Sequence, residues 1–257
     1  MTVLVKFGSA LVSASAGVDH RFLRAKCAEL AGLLAAGTKV VVVSSGAVAA
    51  GMEAEGVSQR PQDVLEQQLL SGIGQVRLMR CYRDYFRLHG VQTAQVLLTH
   101  YNFGSPSEER AVTAVLRAYL ARGIVPVINE NDLVNKEELD AAGRFTDNDI
   151  LAALVAERLG VDLALLLTTV PGLLDNAGRL LPTVERVTPE IRALANDTVD
   201  RPGLGGMASK LEAAGQMTAA GIDVVVGDGR RALQDLVTNA APRTLFVGNR
   251  HGQRSAS

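Results

Sequence analysis

Short runs of consecutive apolar residues alternate along the chain with longer stretches in which apolar positions recur every three or four residues. The runs predict strands over 2–7, 39–43, 91–98, 124–128, 163–167, 223–226 and 244–247, bounded by glycine, serine and asparagine. The periodic stretches predict helices over 19–36, from 47 onward, over 61–88, 107–122, 147–159 and 207–220, and a short one around 233–237. Asp19 stands at the start of the first of these and Gly37 just past its end, as helix caps require. Strands that are apolar throughout, rather than alternating, are buried on both faces, and helices between them supply the cover. The expected fold class is therefore α/β: a three-layer αβα sandwich around a mostly parallel sheet. Segments 133–146 and 170–187 read as hairpin excursions, with turns at Ala142-Gly143 and Asn176-Ala177-Gly178. No internal repeat and no Pro- or Ser-rich linker divides the chain, so a single domain over 1–257 is expected.

The composition narrows what this fold can bind. With 257 residues, 47% of them hydrophobic, the chain is long enough for a sizeable core. Twenty-six Lys and Arg against 27 Asp and Glu give a net charge of -1, so nothing draws the protein as a whole to nucleic acid or to an anionic membrane. An anion must be held locally. Cys27 and Cys81 fall on predicted helices and form no Cys-x-x-Cys pair, which argues against a disulfide framework or a protein-held metal and for free thiols in a reducing cytoplasm. The N-terminal run has Lys6 inside it and no cleavage pattern after it, so it reads as a strand rather than a signal peptide. No stretch has the length of a membrane span, and a soluble, cytoplasmic protein is expected.

Candidate chemistry concentrates where the strand over 124–128 opens into Asn129-Glu130-Asn131-Asp132, followed by Phe145-Thr146-Asp147-Asn148-Asp149 at the start of a helix. Helix capping and an ordinary turn account for one residue of each cluster; the remainder suit a site at the carboxyl edge of a parallel sheet. Four glycine-containing turns, at 6–9, 44–47, 71–75 and 203–210, would let backbone N–H groups approach phosphate oxygens, although none matches the P-loop or the dinucleotide fingerprint. Lys6 lies within an apolar strand, and Lys210 lies at the unfavourable end of a helix dipole. A phosphoryl group between the two would offset both costs.

The segments Val5-Lys6-Phe7-Gly8-Ser9, Val43-Ser44-Ser45-Gly46-Ala47, Gln95-Val96-Leu97-Leu98-Thr99, Asn129-Glu130-Asn131-Asp132 and Asp147-Asn148-Asp149 occur in the order in which they resemble the amino-acid kinase family, in particular its glutamate 5-kinase branch. The resemblance implies ATP-dependent phosphorylation of the γ-carboxylate of L-glutamate, a first step of proline biosynthesis, with Mg2+ bridging the nucleotide phosphates. It implies an acceptor-binding half over about 1–160 and a nucleotide-binding half over about 161–250. Ser45, Gly46, Ala47, Asp132 and Asn148 would then hold the amino acid. Lys6, Gly8, Thr168, Thr169, Gly203, Leu204, Gly205, Gly206, Met207 and Lys210 would meet the nucleotide, Lys6 and Lys210 being catalytic and Asp149 orienting them. A homo-oligomer, dimer or tetramer, is the family expectation, with 61–88 as a candidate interface.

Three departures from the family pattern stand out. Thr169 replaces an aspartate, Leu204 replaces a hydroxyl residue, and no C-terminal RNA-modification-type domain follows. The first two fall on the nucleotide half and leave two alternatives open: a diverged paralogue acting on another amino-acid carboxylate, and a non-catalytic amino-acid sensor.

Overall fold

The computed structural model describes residues 1–14, 17–134, 148–195 and 206–250. The chain begins with β1 (Thr2–Phe7), α1 (Ser9–Val12), the short strands β2 (Ser13–Ala14) and β3 (Gly17–Val18), and α2 (His20–Ala35). Next come β4 (Lys39–Ser44), α3 (Ala47–Glu55), α4 (Val64–Arg87), β5 (Thr93–Leu98), α5 (Pro106–Ala121) and β6 (Val125–Glu130). The remainder is α6 (Asn148–Leu159), β7 (Leu163–Thr168), β8 (Thr183–Val184), α7 (Pro189–Ala193), α8 (Met207–Ala219), β9 (Asp223–Asp228), α9 (Leu233–Thr238) and β10 (Arg243–Phe246). The expected order of strands and helices is present among the described residues, while the hairpin expected over 133–146 lies outside them from residue 135 on. The Gly/Ser segment after the first strand additionally folds into α1 and a small antiparallel ribbon of β2 and β3.

One eight-stranded sheet runs β5-β6-β4-β1-β7-β9-β10-β8, parallel from β5 to β9, with β10 antiparallel to β9. The 170–187 excursion forms an antiparallel bridge between Leu174 and Leu180, and its end, β8, pairs with β10. β1 is central, hydrogen-bonded to β4 on one side and β7 on the other. The chain thus winds outward from β1 in one direction and returns in the other, which opens a crevice at the carboxyl ends of β1, β4, β6 and β7.

Alternation along β1 decides which helices each residue meets. Val3, Val5 and Phe7 join Leu23 and Leu30 of α2, Leu78 and Tyr82 of α4 and Leu233 of α9 in one core layer. Leu4 joins Val155 of α6 and Leu211 and Met217 of α8 in the other. Lys6, two residues from Leu4, faces the same way and is directed at α6 and α8.

Residues 71–75, read above as a phosphate-approaching turn, lie in the middle of α4 and do not form one. Gly74 there serves helix packing. A Cβ on Gly74 would overlap the Ala47 carbonyl oxygen, and one on Gly51 would overlap the Leu70 carbonyl oxygen, so α3 and α4 touch backbone to backbone. Among the described residues no helix is long and apolar enough to cross a membrane. Cys27 is buried, Cys81 is half-buried, and both are free thiols.

Candidate active site

The first turn of α6 brings the central charge to the crevice. Asp149 is fully buried; its Oδ1 lies 2.7 Å from Lys6 Nζ and its Oδ2 3.1 Å from Lys210 Nζ, both lysines being buried as well. Burial pushes the Asp149 carboxyl up, but the two ammonium groups outweigh it and hold the group below the usual carboxylate range. Ser209 on α8 completes the arrangement, its Oγ 3.0 Å from Asp149 Oδ2 and 2.9 Å from the Gly206 carbonyl oxygen. One carboxylate thus fixes two cations from opposite ends of the sequence. Two ammonium groups converging on one buried carboxylate suit the approach of an anion.

Gly8 follows β1 beside this cluster; a Cβ there would lie 3.8 Å from Lys6 Nζ, so its bareness keeps the approach to that ammonium open. Gly206 caps α8 in an extended conformation. Met207 sends its side chain into the core, so only its backbone can face a ligand. Thr168 ends β7 and pairs in register with Asp228 of β9; Thr169 is exposed, and its carbonyl accepts from Arg230 Nη2 at 2.6 Å. Asp147, Gly203, Leu204 and Gly205 lie outside the described residues.

A second cluster, mostly of amides and hydroxyls, adjoins the first. Ser45 and Gly46 follow β4, Gly46 adopting φ 112° at the start of α3, and Ala47 is buried as the first residue of that helix. Asn148 Nδ2 donates to Ser45 Oγ at 3.0 Å and to Asn129 Oδ1 at 3.1 Å. Asn129 Nδ2 donates to Gln75 Oε1 at 2.9 Å. Asp132 is bound from α4, its Oδ2 accepting from the Ser71 hydroxyl and its carbonyl from Gln68 Nε2 at 3.0 Å. The expected acceptor residues Ser45, Gly46, Ala47 and Asn148 are therefore gathered at one place, with Asp132 on its α4 side.

Ser71, Gln75, Asn129 and Ser209 fall within segments that the sequence singles out, yet none of them carried an individual role there. A signal existed for the first two. Gln68, Ser71, Gln75, Leu78 and Tyr82 recur at intervals of three and four, so polar side chains occupy the stripe that should be apolar if its only task were packing.

The geometry has counterparts among known proteins. Residues 1–228 match the profile of the "Amino acid kinase family". A curated glutamate 5-kinase of Deinococcus radiodurans is 41% identical over 99% of this chain and 71% of its own length. One from Dehalococcoides mccartyi is 37% identical over 93% of this chain and 65% of its length, and one from Myxococcus xanthus 39% over 99% and 69%. The chain thus spans about two thirds of the length of the curated relatives it matches. Among solved structures, Giardia carbamate kinase superposes with a TM-score of 0.66 at 18% identity, covering 96% of this chain and 99% of that one, which establishes a shared fold. By its profile match and by these relatives, the chain belongs to the amino acid kinase family.

Proposed function

We propose that this protein transfers the γ-phosphoryl group of ATP to the γ-carboxylate of L-glutamate, giving glutamyl 5-phosphate and ADP and so opening proline biosynthesis. The observation that carries the reading is the buried Lys6–Asp149–Lys210 bridge at the crevice, beside an acceptor pocket built from Ser45, Asn148 and Asp132. Curated relatives named glutamate 5-kinase at 37–41% identity support the substrate.

The chemistry asks little of the protein beyond position and charge. A side-chain carboxylate is ionised at neutral pH, so it attacks phosphorus without a general base. Lys6 and Lys210, held apart and oriented by Asp149, offset negative charge developing on the transferred group. Asp132 is the natural partner of the substrate α-ammonium. The acceptor half, about 1–160, and the nucleotide half, about 161–250, meet where β1 adjoins β7. Mg2+ would neutralise and orient the nucleotide phosphates. Among the described residues no group of three His, Cys, Asp or Glu side chains could hold a metal, and the Asp149 carboxylate is engaged by Lys6 and Lys210.

A homo-oligomer fits the surface of α4, where Leu65, Leu69, Ile73 and Val76 are exposed along one side with Leu133 and Val134 nearby. The free thiols suit a reducing cytoplasm.

The test is an ADP-release assay across carboxylic amino acids, with hydroxylamine added to trap the acyl phosphate as a hydroxamate. Glutamate-dependent ADP and hydroxamate are expected. Preference for another acid would favour the diverged paralogue, for which exposed Thr169 in place of an aspartate is the specific observation. Calorimetric binding of glutamate with neither ATP·Mg binding nor turnover would make the protein a sensor.

A further inference from the structure

We infer that Gln75, on α4, is a positioning residue that makes the acceptor pocket selective for an ammonium group, acting through Asn129 and Asn148. The inference rests on the proposed reading of this pocket as an amino-acid site. The backbone N–H of Glu130 donates to Asn129 Oδ1 at 2.9 Å. Since a backbone N–H cannot accept, that atom of Asn129 is the oxygen and the opposite one is the amine. The polarity of every neighbouring amide follows.

Asn129 Nδ2 points at Gln75 and requires an acceptor there, which Oε1 supplies at 2.9 Å. Asn129 Oδ1 also faces Asn148 and requires a donor, which Nδ2 supplies at 3.1 Å while also donating to Ser45 Oγ at 3.0 Å. Both protons of the Asn148 amine are therefore used, and Asn148 Oδ1 remains as a buried acceptor with no hydrogen-bond partner among the described residues. A ligand donor completes it; a carboxylate cannot donate, whereas an ammonium can, and the Asp132 carboxylate, which accepts from Ser71 one turn of α4 before Gln75, supplies the matching charge.

Gln75 itself is 7% exposed, and its Nε2 also has no partner among the described residues. A buried amide kept with one half unsatisfied is a cost that packing alone does not explain. The register that places it there is local: Asn129 continues the Val125, Val127 side of β6, the side that packs in the α4 layer. Losing the Gln75 oxygen would strand a buried Asn129 amine, release the Asn129 side chain from its orientation and free Asn148 to turn its amine toward the substrate amine.

The test uses the full chain with Gln75→Leu and Gln75→Glu, the second keeping an acceptor oxygen. It compares the KM for glutamate with the inhibition constant of glutarate, which has both carboxylates and no ammonium. Gln75→Leu should raise the glutamate KM about tenfold, the size expected for one lost hydrogen bond, while kcat, the KM for ATP and the glutarate constant move less than threefold. Gln75→Glu should stay within about threefold of the parent for glutamate. Gln75→Leu combined with Asn148→Ala should be no weaker than Asn148→Ala alone, as for two residues in one relay. Equal losses for glutamate and glutarate, full additivity with Asn148→Ala, or a Gln75→Glu enzyme as poor as Gln75→Leu would each overturn the relay. If Gln75→Leu does not fold, the Gln75→Glu comparison decides alone. A parent protein with no glutamate dependence would instead overturn the pocket assignment on which the inference rests.

Discussion

Replacing Asp149 by asparagine removes the carboxylate that Lys6 and Lys210 share at 2.7 and 3.1 Å, and leaves the side-chain volume almost unchanged. All three side chains are buried, so solvent cannot screen the two ammonium groups that remain. Removing one partner of a buried ion pair costs about 3–5 kcal/mol. At about 2–4 °C per kcal/mol for a chain of this size, the midpoint of thermal unfolding should fall by about 6–20 °C at pH 7. The pH dependence gives a sharper check. The Asp149 carboxyl is held below its ordinary range in the folded protein, since the lysines outweigh the effect of burial. Its stabilisation is therefore complete above the unfolded pKa of about 3.9 and is lost as pH falls through the lower, folded value. The parent should lose stability on acidification below about pH 4, and Asp149→Asn should lack that component. Melting curves from pH 3 to 10 by circular dichroism, paired with ADP release at pH 7.5, test both halves. An Asp149→Asn protein that melts within 2 °C of the parent at pH 7, with the same turnover, would refute the argument.

Three further outcomes are expected. Lys210→Ala and Lys6→Ala should each lower kcat by about a hundredfold or more while changing glutamate binding little, as for contacts realised mainly in the transition state; steady-state kinetics with calorimetric binding would separate the two. Asp132→Asn should raise the KM for the amino acid by roughly 2 kcal/mol of lost binding, about thirtyfold, and leave the KM for ATP unchanged; a change confined to ATP would place the acceptor on the wrong side of the sheet. Gly74→Ala should destabilise by about 1–3 kcal/mol, because its methyl would overlap the Ala47 carbonyl oxygen and neither helix backbone can yield cheaply; a denaturant titration reads this directly.

Much of the fold was legible because its signals are local. Continuous apolar runs marked the strands, three-to-four spacing marked the helices, and Asp19 and Gly37 bracketed α2 where the structure has its N-cap and a left-handed glycine. The parallel character of the sheet followed from strands without alternation. Gly74 shows where local signals end. A glycine in a Ser-Gly-Ile-Gly-Gln stretch suits a turn or a helix contact equally well, and only the presence of α3 against α4 selects the second.

The candidate site divides along the same line. Lys6 in an apolar strand and the acids and amides at 129–132 and 147–149 announced a polar site from their types and positions alone, because a lysine among valines and leucines requires a counter-charge. Which residue supplies that counter-charge depends on alternation along β1, which turns Lys6 toward α6 and α8, and on the strand order that sets β7 next to β1. Ser71 and Gln75 are more dependent still. Their partners Asp132 and Asn129 are 61 and 54 residues away, and no pattern within α4 states where β6 will end. Residue type and spacing determined which elements form and which side chains cannot be left unpartnered. The pairing of those side chains was decided only when the sheet brought the carboxyl ends of β1, β4 and β6 together, since hydrogen bonds and ion pairs depend on distances that only the folded chain defines.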